Sequence, residues 1–142
     1  MSGKSKINFV EIIVAILIIL LVTLVVYPKF LDIIRKSNEA ASRANLTALR
    51  NAIAVYYGEN EGHFPSENIV EELLSDNGKY IKYIPELYCP PYHNPTTEIT
   101  TKPTGDSGKW AYQVEDTQER QAGELWIDCN QKDSKGVIWN TY

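Results

Sequence analysis

Residues that build most catalytic and metal centres are scarce in this sequence. Its 142 residues include two cysteines, two histidines and one methionine. Neither cysteine has a CxxC or CxxH partner, which argues against a zinc motif. The chain also has no glycine-rich phosphate loop and no nucleophile beside either histidine. We therefore expect a protein that is not an enzyme and that holds no cofactor.

Charged residues are almost absent from residues 7–27, where Glu11 is the one exception. As a helix this run rises roughly 30 Å, about the thickness of a bilayer's hydrocarbon core. A cleaved signal peptide has a shorter apolar core followed by small residues, and the stretch Val25–Lys29 has no such site. A plain membrane anchor explains the length but not Glu11, because an unpaired charge inside an apolar stretch is costly.

The helical pattern resumes after Pro28 and continues from Lys29 to about Glu59. Apolar side chains recur at helical spacing in this second part and form one stripe, made of Leu46, Leu49, Ile53 and Tyr56. Gly58 and Gly62 then mark the end of the helix. The pattern predicts a stem helix that buries one face.

Residues after Pro65 have the composition of a small globular head. We expect a short helix over 69–74 capped by Ser66. Alternation predicts two antiparallel strands at 110–114 and 124–129, a third at 136–139 and a weaker one at 96–101. A small antiparallel sheet of this kind would cover the stripe of the stem helix. Most of the three tryptophans, Trp110, Trp126 and Trp139, are expected in the core, and an exposed surface for partners is the alternative.

Cys89 and Cys129 both follow the apolar run. A disulfide between them would close a loop of about 40 residues and contribute about 3–4 kcal/mol of stability. The alternative is two unrelated buried thiols.

Charge is distributed unevenly along the chain. The net charge is −4 overall, yet +1 for residues 1–28 and +3 for residues 29–50, which leaves −8 for residues 51–142. A basic stem thus precedes an acidic head, and an acidic head argues against nucleic acid as its partner.

A family resemblance lies in the block from Phe9 to Leu17 and in the following Tyr27-Pro28-Lys29-Phe30. These residues resemble the N-terminal helix of type IV pilins and type II secretion pseudopilins. That family has a glutamate as the fifth residue of the mature chain and a proline seventeen residues later, and Glu11 and Pro28 have this spacing. Gly62-His63-Phe64-Pro65 resembles the element after the pilin stem, so the resemblance covers roughly residues 7–65.

The resemblance implies an α+β, pilin-like fold in four parts: a leader-like segment (1–6), a transmembrane and assembly half-helix (7–28), a stem helix (29–61) and a head (62–142). It implies a structural subunit of a type IV pilus or a type II secretion pseudopilus, in which many copies form a helical filament. The expected location is the inner membrane, then an extracytoplasmic filament. Implied partners are a prepilin peptidase and an assembly platform with a cytoplasmic ATPase motor.

The processing site departs from the family pattern. Counting back from Glu11 places the junction between Lys6 and Ile7, whereas the peptidase normally cuts after glycine and the nearest upstream glycine is Gly3. A divergent site, an unprocessed subunit and an altered start all remain open, and N-methylation depends on which applies. In the family, the residue that Glu11 matches neutralises the N-terminal amine of the adjacent subunit, and a neighbour's Lys4 or Lys6 is the alternative partner.

Orientation and function leave further alternatives open. Basic residues are more numerous after the apolar run than before it, which by itself predicts a cytoplasmic head. The resemblance and the cysteine pair favour an extracytoplasmic head instead. A pilus for adhesion or motility, a secretion pseudopilus and a DNA-uptake filament are not separated, and the rival functions are a monomeric membrane-anchored binding module and an anchored enzyme.

Calcium is the one metal that the resemblance suggests, since some pseudopilins bind it. The candidate ligands are Asp106, Asp128 and Asp133, which lie in or near predicted loops. Their spacing matches no defined calcium loop, so we expect solvated turn residues rather than a metal site.

Overall fold

The computed structural model describes residues 8–142 and begins with one long helix, α1 (Phe9–Glu59), which continues through Pro28. The chain forms two compact units, which divide between Ile34 and Arg35. The expected boundary at residue 28 lies before this division because Lys29–Ile34 remain exposed, and burial on the helix begins only with Arg35.

The predicted stripe on the stem helix is confirmed. Leu46, Leu49 and Ile53 are buried, and Tyr56 is half-buried against the same core. Ala52 adds a small buried side chain between them. Spacing of three and four residues puts these side chains on one face, which packs into the core of residues 35–142.

Two polar residues extend this stripe and were not predicted. Glu39 and Ser42 are fully buried on the same face. The Glu39 carboxylate accepts hydrogen bonds from the backbone N–H and the hydroxyl of Ser134 and from Arg35. Ser42 Oγ donates to the Tyr88 carbonyl at 2.8 Å and accepts from the Tyr88 N–H at 2.7 Å. Both polar groups are thereby satisfied, as burial requires.

Helix α2 (Ile69–Gly78) confirms the predicted short helix but not its cap. Asn68, not Ser66, is at the N-cap position, and no side chain caps the helix. The Ser66 hydroxyl hydrogen-bonds to Glu72 instead. Backbone angles are non-helical from Ser75 to Asn77, so the last residues of this element form a turn that ends at Gly78.

The sheet has three strands in the order β1 (Ile99–Thr100), β2 (Lys109–Tyr112) and β3 (Leu125–Asp128). The antiparallel pairing of β2 with β3 is as predicted, with Trp110 opposite Ile127. However, β1 runs parallel to β2, so the sheet is mixed rather than wholly antiparallel. The α+β class, with a long N-terminal helix on a small sheet, is confirmed.

Both faces of the two longer strands are covered. One face adds Trp110, Tyr112, Leu125 and Ile127 to the core. On the other face the guanidinium carbon of Arg120 lies 4.0 Å from the ring centroid of Trp126, which is buried. All three tryptophans are buried, as expected.

The third predicted strand, at 136–139, is wrong. Lys132 and Ile138 form only an isolated bridge, and Trp139–Thr141 is a short 3₁₀ helix. This segment packs beside β3, where the Asn140 N–H donates to the Cys129 carbonyl at 3.0 Å. Nearby, Arg50 Nε donates to the Leu125 carbonyl at 2.9 Å.

Candidate functional site

The first candidate site is the apolar segment, residues 9–34 of α1. Twenty large apolar side chains between Phe9 and Ile34 are 40–78 % exposed. Soluble monomers rarely expose a continuous apolar patch above a few hundred Å². The helix is also long and apolar enough to cross a membrane, judged by its length and composition. The apolar segment therefore requires lipid or protein around it rather than water.

Glu11 lies in the first turn of this helix and is exposed. Its Oε2 accepts a hydrogen bond from the Asn8 N–H at 3.1 Å, the reach-back contact of a capping box. A carboxylate at this position is also stabilised by the positive end of the helix dipole. Glu11 thus has a local role within one chain, besides the pairing with a neighbouring subunit that the resemblance implies.

Thr23 and Pro28 interrupt the apolar segment without ending it. The Thr23 hydroxyl donates to the Ile19 carbonyl at 2.7 Å, so this hydroxyl is paired within its own helix. Pro28 removes one backbone donor from the helix, which nevertheless continues to Glu59. The predicted processing junction, Lys6 and Ile7, lies outside the described residues, as does the leader-like segment.

The second candidate site is formed by the two cysteines. Cys89 and Cys129 are free thiols, and both are buried. A hydrogen bond between the two thiols raises the pKa of Cys89 and lowers the pKa of Cys129 to about 7. The cysteines are therefore not unrelated, although the disulfide between them stays a prediction.

His93 and Asp106 adjoin Cys129. His93 Nε2 lies 3.1 Å from Asp106 Oδ1, and one ligand atom from each of these three residues lies within 4.8 Å of the others. Burial raises the pKa of the Asp106 carboxyl, but hydrogen bonds from Asn130 and from His93 outweigh it and lower that pKa overall. Cys129 is buried, whereas His93 and Asp106 are partly exposed.

Asp128 and Asp133 are not solvated turn residues; they are only 1 % and 5 % exposed. Asp133 accepts from Arg43 Nη1 at 3.0 Å and from the Tyr142 hydroxyl at 2.6 Å. Burial raises the pKa of Asp133, but the Tyr142 hydroxyl and two backbone N–H groups outweigh it and lower that pKa overall. Asp133 thus joins the stem helix, through Arg43, to the C-terminal residue Tyr142.

Asp128 anchors the loop before β2. Its carboxylate accepts from the backbone N–H groups of Thr104 at 3.0 Å, Gly105 at 2.8 Å and Ser107 at 3.2 Å. The Ser107 hydroxyl donates to it as well, at 2.6 Å. These donors engage both carboxylate oxygens, so Asp128 holds the loop in place.

Asp128→Asn is expected to destabilise the fold by about 2–3 kcal/mol, because the amide turns a donor towards buried N–H groups that need an acceptor. Urea unfolding of the full chain in detergent, followed by near-ultraviolet circular dichroism, measures this. Asp116→Asn is the matched control, since the exposed Asp116 accepts a single backbone hydrogen bond, from Ala122. Equal losses of unfolding free energy in Asp128→Asn and Asp116→Asn would contradict the anchoring role of Asp128.

Comparison with protein-family models, with curated proteins and with solved structures finds no match for this chain.

Proposed function

We propose that this chain is a structural subunit of a filament of the type IV pilus or type II secretion pseudopilus kind, and that it polymerises through α1. The observation that carries the proposal is the apolar segment with a carboxylate in its first turn. Twenty exposed apolar side chains supply a surface that many copies can bury against one another. The carboxylate supplies a polar contact that fixes the position of one helix along the next.

The apolar segment favours an inner-membrane subunit before assembly. In the membrane its side chains contact lipid, and in the filament they contact the same segment of other copies. Because both surroundings are apolar, the exchange is modest in free energy and allows addition and removal of subunits. The prepilin peptidase, the platform and the cytoplasmic ATPase motor enter through the sequence resemblance.

The stem part of α1 supports the same proposal. One face of residues 35–59 is buried in the core, whereas the other positions are mostly exposed. The head is therefore built on the same helix that carries the apolar segment.

A monomeric membrane-anchored binding module is the alternative function. The contact between the Asn8 N–H and Glu11 favours it, because this contact gives the carboxylate a role without any neighbouring subunit. Under this alternative the apolar segment contacts lipid throughout the life of the protein.

The experiment is electron microscopy of material sheared from cells, combined with intact-mass spectrometry of the chain in the sheared fraction and in membranes. We expect filaments that contain this chain, and a chain in the sheared fraction that begins at Ile7. Chain found only in membranes, with no filaments, would contradict polymerisation and favour the anchored module. Filaments made of full-length chain would support polymerisation but overturn the junction at Lys6 and Ile7.

A further inference from the structure

The cysteine cluster brings together four residues from separate parts of the head: Cys89, His93, Asp106 and Cys129. One ligand atom from each of His93, Asp106 and Cys129 lies within 4.8 Å of the other two. The Cys89 thiol hydrogen-bonds to that of Cys129. One sulfur, one imidazole nitrogen and one carboxylate oxygen therefore lie within this distance of one another, and the Cys89 thiol adjoins them through Cys129. The proposed filament function uses none of the four residues.

The spacing of these atoms suits a small tetrahedral cation. Zinc binds sulfur at about 2.3 Å, nitrogen at about 2.0–2.1 Å and carboxylate oxygen at about 2.0–2.2 Å. Tetrahedral geometry then separates pairs of ligand atoms by roughly 3.2–3.8 Å. The ligand atoms of His93, Asp106 and Cys129 lie within 4.8 Å of one another, so side-chain rotations would bring them to this separation. Cys89, beside Cys129, would complete the tetrahedron.

The backbone holds the ligands in place before any ion binds. The Cys89 carbonyl accepts from the N–H groups of Tyr92 at 3.0 Å and His93 at 3.2 Å, so one turn presents both Cys89 and His93. Asp106 Oδ1 accepts from the Asn130 N–H at 3.1 Å, directly after Cys129. The site is thus built from a turn, a loop and the end of β3.

Gly108 makes room for the imidazole of His93. It has a φ of +69°, and an added Cβ would lie 2.3 Å from His93 Cγ. Only glycine allows both this backbone conformation and this close contact. The ring of His93 is therefore packed against the backbone beside Asp106, which restricts its orientation.

We propose that Cys89, His93, Asp106 and Cys129 bind one zinc ion in the chain whose cysteines are reduced. Thiolate, imidazole and carboxylate are the ligands that zinc prefers. Binding releases one proton from each thiol. Two thiolates and one carboxylate then surround the doubly charged cation, so the net charge of the occupied site is −1. The Cys89-x₃-His93 spacing is the sequence signal for this site, and it lies outside the CxxC and CxxH patterns.

Zinc binding and the predicted disulfide use the same two sulfurs and exclude each other. Exchange with an external disulfide, such as oxidised glutathione, joins the two sulfurs and removes two electrons and two protons from the pair. The external disulfide is reduced to two thiols. The oxidised chain then has no thiolate to offer, so it should not bind zinc at this site. The proposal concerns the head and does not depend on filament formation.

The test is metal binding by the full chain in detergent micelles, kept reduced by a phosphine and freed of metal with a chelator. We expect one zinc ion per chain in competition with a chromophoric chelator. Cobalt should give a sulfur-to-metal charge-transfer band and the visible bands of tetrahedral coordination. Chain oxidised with glutathione disulfide, checked by its mass, should lose both signals.

Two variants and a control assign the ligands. His93→Ala and Asp106→Asn should each weaken zinc binding by about tenfold or more. His63→Ala is the matched control, because His63 is exposed and its Nδ1 lies 2.9 Å from the Asn60 carbonyl oxygen, outside the cysteine cluster. Circular dichroism of each variant shows whether it is folded. Absence of zinc binding by the reduced, folded chain, or binding unchanged in both His93→Ala and Asp106→Asn, would overturn the proposal.

Discussion

Replacing Glu11 with Gln should abolish filaments while leaving the chain in the membrane. Glutamine keeps the capping contact with the Asn8 N–H, because either residue is suitable at the third helical position. It removes only the negative charge. If that charge pairs with a cation of a neighbouring subunit, losing one partner of a buried pair costs about 3–5 kcal/mol. Since about 1.4 kcal/mol corresponds to a factor of ten, filament yield should fall about a hundredfold or more.

The yield is measured by quantifying the chain in sheared and membrane fractions. Thr23→Val is the matched control: it removes a polar group from the same apolar segment, one that bonds only within its own helix. It should leave filaments unchanged. Normal filaments in Glu11→Gln, with a loss only in Glu11→Ala, would show that Glu11 acts as a helix cap and not as a charge partner.

Trp110→Ala should cause the largest loss of stability in the head, about 3–5 kcal/mol. Trp110 is 0 % exposed, and it belongs to the buried core cluster that also contains Leu46 and Leu49 of the stem helix. Its indole Nε1 donates to the Pro85 carbonyl at 3.0 Å, which ties the loop before β1 to the core. Truncation removes the packing, leaves a cavity and deprives that carbonyl of its donor.

Urea unfolding of the full chain in detergent, followed by near-ultraviolet circular dichroism, measures the change. Trp110→Phe separates the two contributions, because it keeps an aromatic ring but removes the donor. We expect it to cost about 1–3 kcal/mol, the range for one buried polar group without its partner. If Trp110→Ala lowers the free energy of unfolding by less than about 1 kcal/mol, this would contradict the central place of the residue in the core.

The stem helix shows which contacts a sequence can and cannot predict. Leu46, Leu49 and Ile53 could be placed on one buried face because helical periodicity is local. Glu39 and Ser42 continue the same face, yet their polarity indicates exposure. Their burial depends on partners 95 and 46 residues away along the chain, at Ser134 and Tyr88. No local pattern encodes such pairs.

The sheet and the cysteine cluster show the same limit. Alternation identified β2 and β3, and the weaker strand predicted at 96–101 contains β1. However, β1 has only two residues, and its parallel pairing with β2 leaves no turn signal in the sequence. The segment 136–139 resembled a strand by composition, but Trp139 instead begins a 3₁₀ helix. His93, Asp106 and Cys129 come from three separate segments, and only the closed fold brings them together.

The outer edge of β3 has a consequence for chains held at high density in a membrane or a filament. An open sheet edge is a template for pairing with strands of other molecules, and such pairing leads to aggregation. At this edge Arg50 donates a hydrogen bond to the Leu125 carbonyl, and the Asn140 N–H donates one to the Cys129 carbonyl. At the opposite edge of the sheet, β1 is only two residues long. These edges therefore offer little backbone for pairing with a strand of another molecule. Heads at high density can be in contact without forming intermolecular strand pairs.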